Sequence, residues 1–147
     1  MNNISNIRSA TKFRQTALLI DDQAIVLDIH TAILKSLKLN LKIVAMTDPV
    51  EALAWMENKQ VDLIITDFRM HQMDGMQFVQ AIKSAGHVLR RAIIVVTVLK
   101  DQAIHQELLA AGASACLTKP AQTEELASVA KTLLDQSQQY YSLGLID

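Results

Sequence analysis

"DLIITDF", residues 62–68, decides how the rest of the chain is read. Leu63, Ile64, Ile65 and Thr66 follow the polar "ENKQ" at 57–60 and run straight into Asp67 and Phe68. So short and apolar a run reads as a strand buried on both faces. A carboxylate at its end needs a reason, because a buried polar group left unpaired costs about 1–3 kcal/mol. Either Asp67 caps the next element, or that edge of the fold needs a negative charge.

Outward from this strand, apolar runs alternate with helical patterns. "TALLID" (16–21) is a continuous apolar run that again ends in an acid. From Gln23 to Lys38, Val26, Ile29, Ile33, Leu34 and Leu37 recur at helical spacing. "LKIVAM" (41–46) is a second strand. Asp48 then reads as an N-cap, with Pro49 at the first helical position of "VEALAWMENK". The strand at 61–66 comes third, followed by a helix from Gly75 that Gly86 ends. "AIIVVT" (92–97) is the fourth strand, "DQAIHQELLAA" (101–111) the next helix, closed by Gly112, and "ACLT" (115–118) the fifth strand. Thr123 reads as the cap of a last helix, with Glu124 and Glu125 at the positive end of its dipole. Five β–α units imply an α/β fold, doubly wound, with a parallel five-stranded sheet and helices on both faces. The tail "QSQQYYSLGLID" (136–147) either extends the last helix or leads towards another domain.

At 147 residues the chain is one domain by length, large enough for a proper core. Half the residues are hydrophobic but only 4% aromatic, so Leu, Ile, Val and Ala must fill that core. A net charge of −1 with mixed signs gives no footprint for nucleic acid or an anionic membrane. "RR" at 90–91 reads as a solvated edge. The single Cys116 excludes an internal disulfide. His30, His71, His87 and His105 lack metal-ligand spacing and read mostly as surface residues. No apolar run approaches the ~18 residues of a membrane span, and the polar start "MNNISNIRSATKFRQ" carries no signal-peptide core. A cytoplasmic location is expected.

In a doubly wound sheet, ligands bind outside the carboxyl ends of the strands. Here those ends carry Asp21-Asp22, Asp67, Thr97 and Thr118-Lys119-Pro120. One polar strand end is ordinary; together they form a site. Carboxylates this close repel unless a cation joins them. Hard oxygen ligands on a partly open rim suit Mg²⁺, which keeps several waters and binds through one or two carboxylates plus phosphate oxygens. A lysine opposite the acids can neutralise part of a phosphoryl group, and a threonine hydroxyl can hydrogen-bond one of its oxygens. Such a site lets a carboxylate attack an activated phosphoryl group to form an aspartyl-phosphate.

The stretches "LLIDDQ" (18–23), "DFRMHQMDG" (67–75), "VVT" (95–97) and "GASACLTKPA" (112–121) resemble, in order and spacing, the signatures of response-regulator receiver domains. The likeness covers residues 16–136, with 1–15 a polar extension and 137–147 a tail or the start of a linker. It implies the strand order 2-1-3-4-5 and makes Asp67 the phospho-acceptor. Asp22 would bind Mg²⁺ (or Mn²⁺) directly and Asp21 through water, with the backbone carbonyl of Arg69 completing the protein ligands. Lys119 would contact the phosphoryl group across a cis Lys119-Pro120 bond, and Thr97 would move towards it. The donor would be a histidine kinase or a histidine phosphotransfer protein. Output would pass through the 101–111 helix, the 115–118 strand and the last helix to a downstream protein, a fused output domain or a second copy. Direct nucleic-acid or membrane contact is not implied, and the chain would assist only its own phosphorylation and dephosphorylation. "DQAIHQELLAAGASACLTKPAQTEELASVAKTLL" also resembles receivers fused to cyclic-di-nucleotide phosphodiesterases.

The chain departs from the pattern at three positions. Cys116 stands where receivers carry the Tyr or Phe that swings inward as the threonine moves, so that readout is missing; the residue reads as packing, not as a thiol sensor, which would need exposure and a lowered pKa. Val98 follows Thr97 where Ala or Gly is usual, and its methyls are expected to crowd the site. His71 replaces a proline, leaves the loop a backbone N–H, and reads as solvated. A phosphorylation-independent interaction module is the competing reading: positions 98 and 116 favour it, and the intact acids, Thr97 and Lys119 oppose it. A hydrolase acting on an external phosphate ester lacks any substrate-pocket motif.

Overall fold

A computed structural model describes residues 14–85 and 91–144. Among them, five parallel strands form one sheet: β1 (Gln15–Ile20), β2 (Leu41–Met46), β3 (Leu63–Asp67), β4 (Ala92–Thr97) and β5 (Ala115–Thr118), in the order β2-β1-β3-β4-β5. The helices are α1 (Ala24–Lys35), α2 (Pro49–Met56), α3 (Gly75–Ser84), α4 (Gln102–Ala111) and α5 (Thr123–Ser142). The expected class and strand order are what the chain adopts.

Period-two alternation along the three central strands makes two cores, because successive side chains point to opposite faces. Ala17, Leu19, Leu63, Ile65, Ile94 and Val96 face Leu27, Ile33 and Leu34 of α1 and Leu126, Ala130 and Leu134 of α5. Leu18, Ile20, Ile64, Ile93 and Val95 face Ala52, Met56, Phe78, Val79, Ile82 and Leu108 of α2, α3 and α4. The middles of these strands are apolar on both sides because both of their faces are covered, and polar residues are confined to the strand ends.

The helix starts hold the sheet's carboxyl edge in place. Asp48 accepts from the Val50 amide at 2.8 Å, with Pro49 at the first position of α2 as expected. Asp74 and Gln77 exchange hydrogen bonds at 2.8 and 2.9 Å, a capping box that starts α3. Just inside it, a Cβ on Gly75 would meet the Phe68 Cα at 3.0 Å, so the glycine lets α3 begin against the loop after Asp67. Gly112 closes α4 at φ 124°, a conformation that favours glycine.

Several readings need correction. Gln122, not Thr123, is the N-cap of α5, and no side chain caps it. Strand β1 ends at Ile20, one residue before Asp21, and α1 ends at Lys35 instead of Lys38, where the backbone turns to φ 53°. Gly86, His87 and Arg90 lie outside the described residues; Arg91, expected at a solvated edge, is buried and donates to the carbonyls of Met56 and Lys59 at 3.0 and 3.2 Å. His30 and His105 are buried as well.

The ambiguous tail continues the last helix to Ser142. Its last turns are fastened to the sheet's amino edge by Asp62, which is 1% exposed. The Asp62 carboxylate accepts from the Thr16 amide at 2.8 Å, the Ser137 hydroxyl at 3.1 Å and the Tyr141 hydroxyl at 2.8 Å. Nearby, the Gln15 side chain donates to the Leu134 carbonyl at 2.8 Å. No described helix is long and apolar enough to cross a membrane.

Candidate functional site: an acidic pocket at the carboxyl edge

Strand register builds the site. Ile20 of β1 pairs with Thr66 of β3, so the next residues, Asp21 and Asp67, leave the sheet side by side. Asp67 pairs with Val96 of β4, and Thr97 pairs with Thr118 of β5, which brings Lys119 to the same edge. Asp21, Asp22 and Asp67 each offer a carboxylate oxygen within 4.8 Å of the others. Asp21 is buried, Asp67 half-buried and Asp22 exposed, so the pocket opens on the Asp22 side.

Lys119 spans the two inner acids. Its Nζ lies 3.0 Å from Asp21 Oδ2 and 3.1 Å from Asp67 Oδ1. A cis Lys119-Pro120 bond follows, and the Lys119 amide donates to the Thr97 carbonyl at 2.6 Å. The Gln23 amide donates to Asp21 Oδ1 and the Phe68 amide to Asp67 Oδ1, at 2.9 and 2.8 Å. His71 stands 3.7 Å from Asp22 and is otherwise in solvent.

Burial pushes the Asp67 carboxyl above the usual carboxylate range; Lys119 pulls it down, Asp21 pushes it up, and the net displacement is upward. For Lys119, burial favours the neutral amine, but the hydrogen bonds and charges of Asp21 and Asp67 overcome it and hold the ammonium above its ordinary range. Three carboxylates with a single ammonium between them leave negative charge uncompensated. The donor set is all hard oxygen, and its spacing suits a small divalent ion after slight adjustment. In the metal-free chain, NMR titration of the Asp67 carboxyl should give a midpoint above the ordinary aspartate range. Lys119→Ala should raise it further by removing the one downward charge, and a divalent cation should lower it. A midpoint in Lys119→Ala at or below that of the parent chain would contradict this electrostatic picture.

Thr97 is buried, and its hydroxyl oxygen accepts from the Leu99 amide at 3.1 Å. Arg69 is exposed, two residues past Asp67. Val98 is 57% exposed, so its methyls stand in solvent at the rim instead of crowding the site as expected. Cys116 is half-buried and packs on the α2–α3–α4 side of the sheet. Burial raises its thiol pKa, which opposes a thiolate sensor. His30, beneath the acids on α1, is held below the usual histidine range by burial; Asp21 opposes this and Lys119 adds to it.

Residues 17–131 match the response regulator receiver domain family. The chain belongs to that family. As a receiver it is 32% identical over 126 residues to the "Cyclic di-GMP phosphodiesterase response regulator RpfG" of Xanthomonas campestris, covering 86% of this chain and 33% of that one. It is 30% identical over 125 residues to a "Protein-glutamate methylesterase/protein-glutamine glutaminase 1" of Chromobacterium violaceum, covering 82% and 34%. The chain thus spans about a third of the length of these curated relatives. Among solved structures, the chemotaxis response regulator CheY4 of Vibrio cholerae superposes with a TM-score of 0.74 at 26% identity, covering 82% of this chain and 99% of that one. The signal receiver domain of a LuxO repressor protein from Vibrio parahaemolyticus shares the fold alone, at TM-score 0.81 and 19% identity over 89% and 98%. The pocket of Asp21, Asp22 and Asp67 is the acidic arrangement typical of a receiver's phospho-acceptor site.

The sequence reading missed two features of this receiver. Asp62 and its partners hold the end of α5. His105 bonds the Leu99 carbonyl at 2.7 Å. The first had only a partial signal: Leu126, Ala130, Leu134, Ser137 and Tyr141 keep helical spacing into the tail, but a serine and a tyrosine stand where apolar residues would mark the stripe. The second had none, because a lone histidine in a mixed helix is indistinguishable from a surface residue.

Proposed function

We propose that this receiver accepts a phosphoryl group on Asp67 from a phosphohistidine of a histidine kinase or histidine phosphotransfer protein. One observation carries the reading: Asp67 is a half-buried carboxylate at the carboxyl edge of the sheet, 3.1 Å from the Lys119 ammonium and grouped within 4.8 Å with the carboxylates of Asp21 and Asp22. An Asp67 oxygen attacks phosphorus, the P–N bond breaks, and the imidazole leaves with its electron pair and takes up a proton. Lys119 neutralises part of the charge on the transferred group, and the Phe68 amide fixes the carboxylate for attack. Thr97 supplies a hydroxyl that can turn to donate to a phosphoryl oxygen. Asp21, Asp22, Asp67 and the Arg69 carbonyl are the groups that would hold Mg²⁺ or Mn²⁺, which when bound neutralises the acids and the incoming oxygens.

The product is a signal, not a released compound. About a third of the curated relatives' length is matched, which supports an output through partner proteins or further domains. Incubation with a small-molecule phosphodonor and Mg²⁺ should add one phosphoryl mass to the intact chain. Withholding the metal, or Asp67→Ala, should abolish the addition. A folded chain that gains no mass with metal present would overturn this reading in favour of a phosphorylation-independent interaction module.

A further inference from the structure

A chain of hydrogen bonds leaves the site towards α4. The Leu99 amide donates to the Thr97 hydroxyl oxygen at 3.1 Å, and the Leu99 carbonyl is bonded by His105 Nε2 at 2.7 Å. A carbonyl only accepts, so that ring nitrogen carries the proton. His105 is buried in the first turn of α4, and its own amide is tied to the Asp101 carbonyl at 3.2 Å. One residue, Leu99, is therefore held through both its amide and its carbonyl, by the threonine at the site and by the helix.

Thr97 is also pinned by its main chain, whose carbonyl takes the Lys119 amide, so its side chain is the part free to turn. Thr97 lies one residue past Val96, the register partner of Asp67. A phosphoryl group on Asp67 brings three strong acceptor oxygens and a charge near −2 to that edge. A hydroxyl that turns to donate to one of them carries its oxygen away from the Leu99 amide. Leu99 then loses one tether and keeps the other. The remaining tether is His105.

His105 also borders an open recess of about 580 Å³, lined by Lys100, Thr118, Lys119 and Pro120 among others. Cys116 lines the same recess. Resting on the phospho-acceptor reading of Asp67, we propose that His105 is the positioning residue that carries the state of Thr97 into α4. The Thr97–Leu99–His105 chain thereby does the work that no aromatic at position 116 is present to do.

The test pairs hydrogen exchange with intact mass on the full chain, treated with phosphoramidate and Mg²⁺. In the parent chain, phosphorylation should change amide exchange across residues 99–108 by about threefold or more. His105→Leu, which cannot donate, should gain the same phosphoryl mass yet lose most of that exchange response. His105→Gln, whose amide N–H can reach the same carbonyl, should restore it. If His105→Leu does not fold, His105→Asn, whose amide stops short, takes its place with the same expectation. Equal uptake with an undiminished response in the non-donating variant would overturn the relay, as would a Gln variant no better than it. A parent chain that takes up phosphoryl with no response in α4 would overturn the relay alone. A parent chain that gains no phosphoryl mass would overturn the phospho-acceptor reading and the relay with it.

Discussion

Lys119→Ala should slow the proposed phosphoryl uptake by Asp67 roughly 100-fold, the size of effect expected when a preorganised positive partner of a transferring group is removed. The ammonium lies 3.1 Å from Asp67 and 3.0 Å from Asp21, so its loss changes the charge at the nucleophile and at the edge where the transferred group would sit. The nucleophile suffers first. Burial and Asp21 already raise the Asp67 pKa, and Lys119 is the charge that opposes them. Without it, a smaller fraction of Asp67 is ionised at a given pH in the metal-free chain. The transferred group suffers next, because no cationic side chain remains between Asp21 and Asp67 to meet its oxygens. Divalent cation binding should survive in the variant, since the same carboxylates no longer share their oxygens with an ammonium. Initial uptake rates by intact mass, with cation affinity measured alongside, check the pair of effects. A rate within about threefold of the parent chain would show that Lys119 is not part of the transfer machinery.

Asp62→Ala should destabilise the fold by about 3 kcal/mol and leave the proposed phosphoryl uptake unchanged. The substitution strips the acceptor from three donors at once: the Thr16 amide and the hydroxyls of Ser137 and Tyr141. Asp62 is 1% exposed, so water does not readily replace it. A hydrogen bond to a charged group contributes about 1.5–3 kcal/mol, and donors left buried without an acceptor add a desolvation penalty. Tyr141→Phe removes one of the three donors and should cost less, about 1 kcal/mol. Uptake is spared because Asp62 precedes the first residue of β3, while Asp67 is its last. Denaturant unfolding of both variants, with m-values compared, measures the effect. A loss under about 0.5 kcal/mol for Asp62→Ala would mean that the end of α5 is not fastened by this carboxylate.

The two acids of "DLIITDF" show what the sequence discloses and what it hides. Asp67 was legible because it recurs in kind at Asp21-Asp22 and because Thr97 and Lys119 stand at the same position in their own units. The parallel topology turns such repetition at strand ends into proximity. Asp62 bounds the same strand, yet its partners lie 46, 75 and 79 residues away, and no local pattern announces them. The Asp48-Pro49 cap was legible because N-capping is local chemistry. The end of α5 was not, because a serine and a tyrosine continue its buried stripe where apolar residues would normally mark it. Val98 failed for a related reason: a residue just past a strand end can turn either way, and only the loop that follows decides. His30 and His105 read as surface residues because burial of a histidine depends on neighbours from other elements.

The most direct measurement is reductive trapping. Chain treated with a small-molecule phosphodonor and Mg²⁺ is reduced with borohydride, which converts an aspartyl-phosphate to homoserine, and its peptides are then mapped by mass spectrometry. Homoserine at position 67, present only after phosphodonor and metal together, is the predicted result. Homoserine at position 21 or 22, or none at position 67 in a chain that has gained phosphoryl mass, would contradict Asp67 as the acceptor.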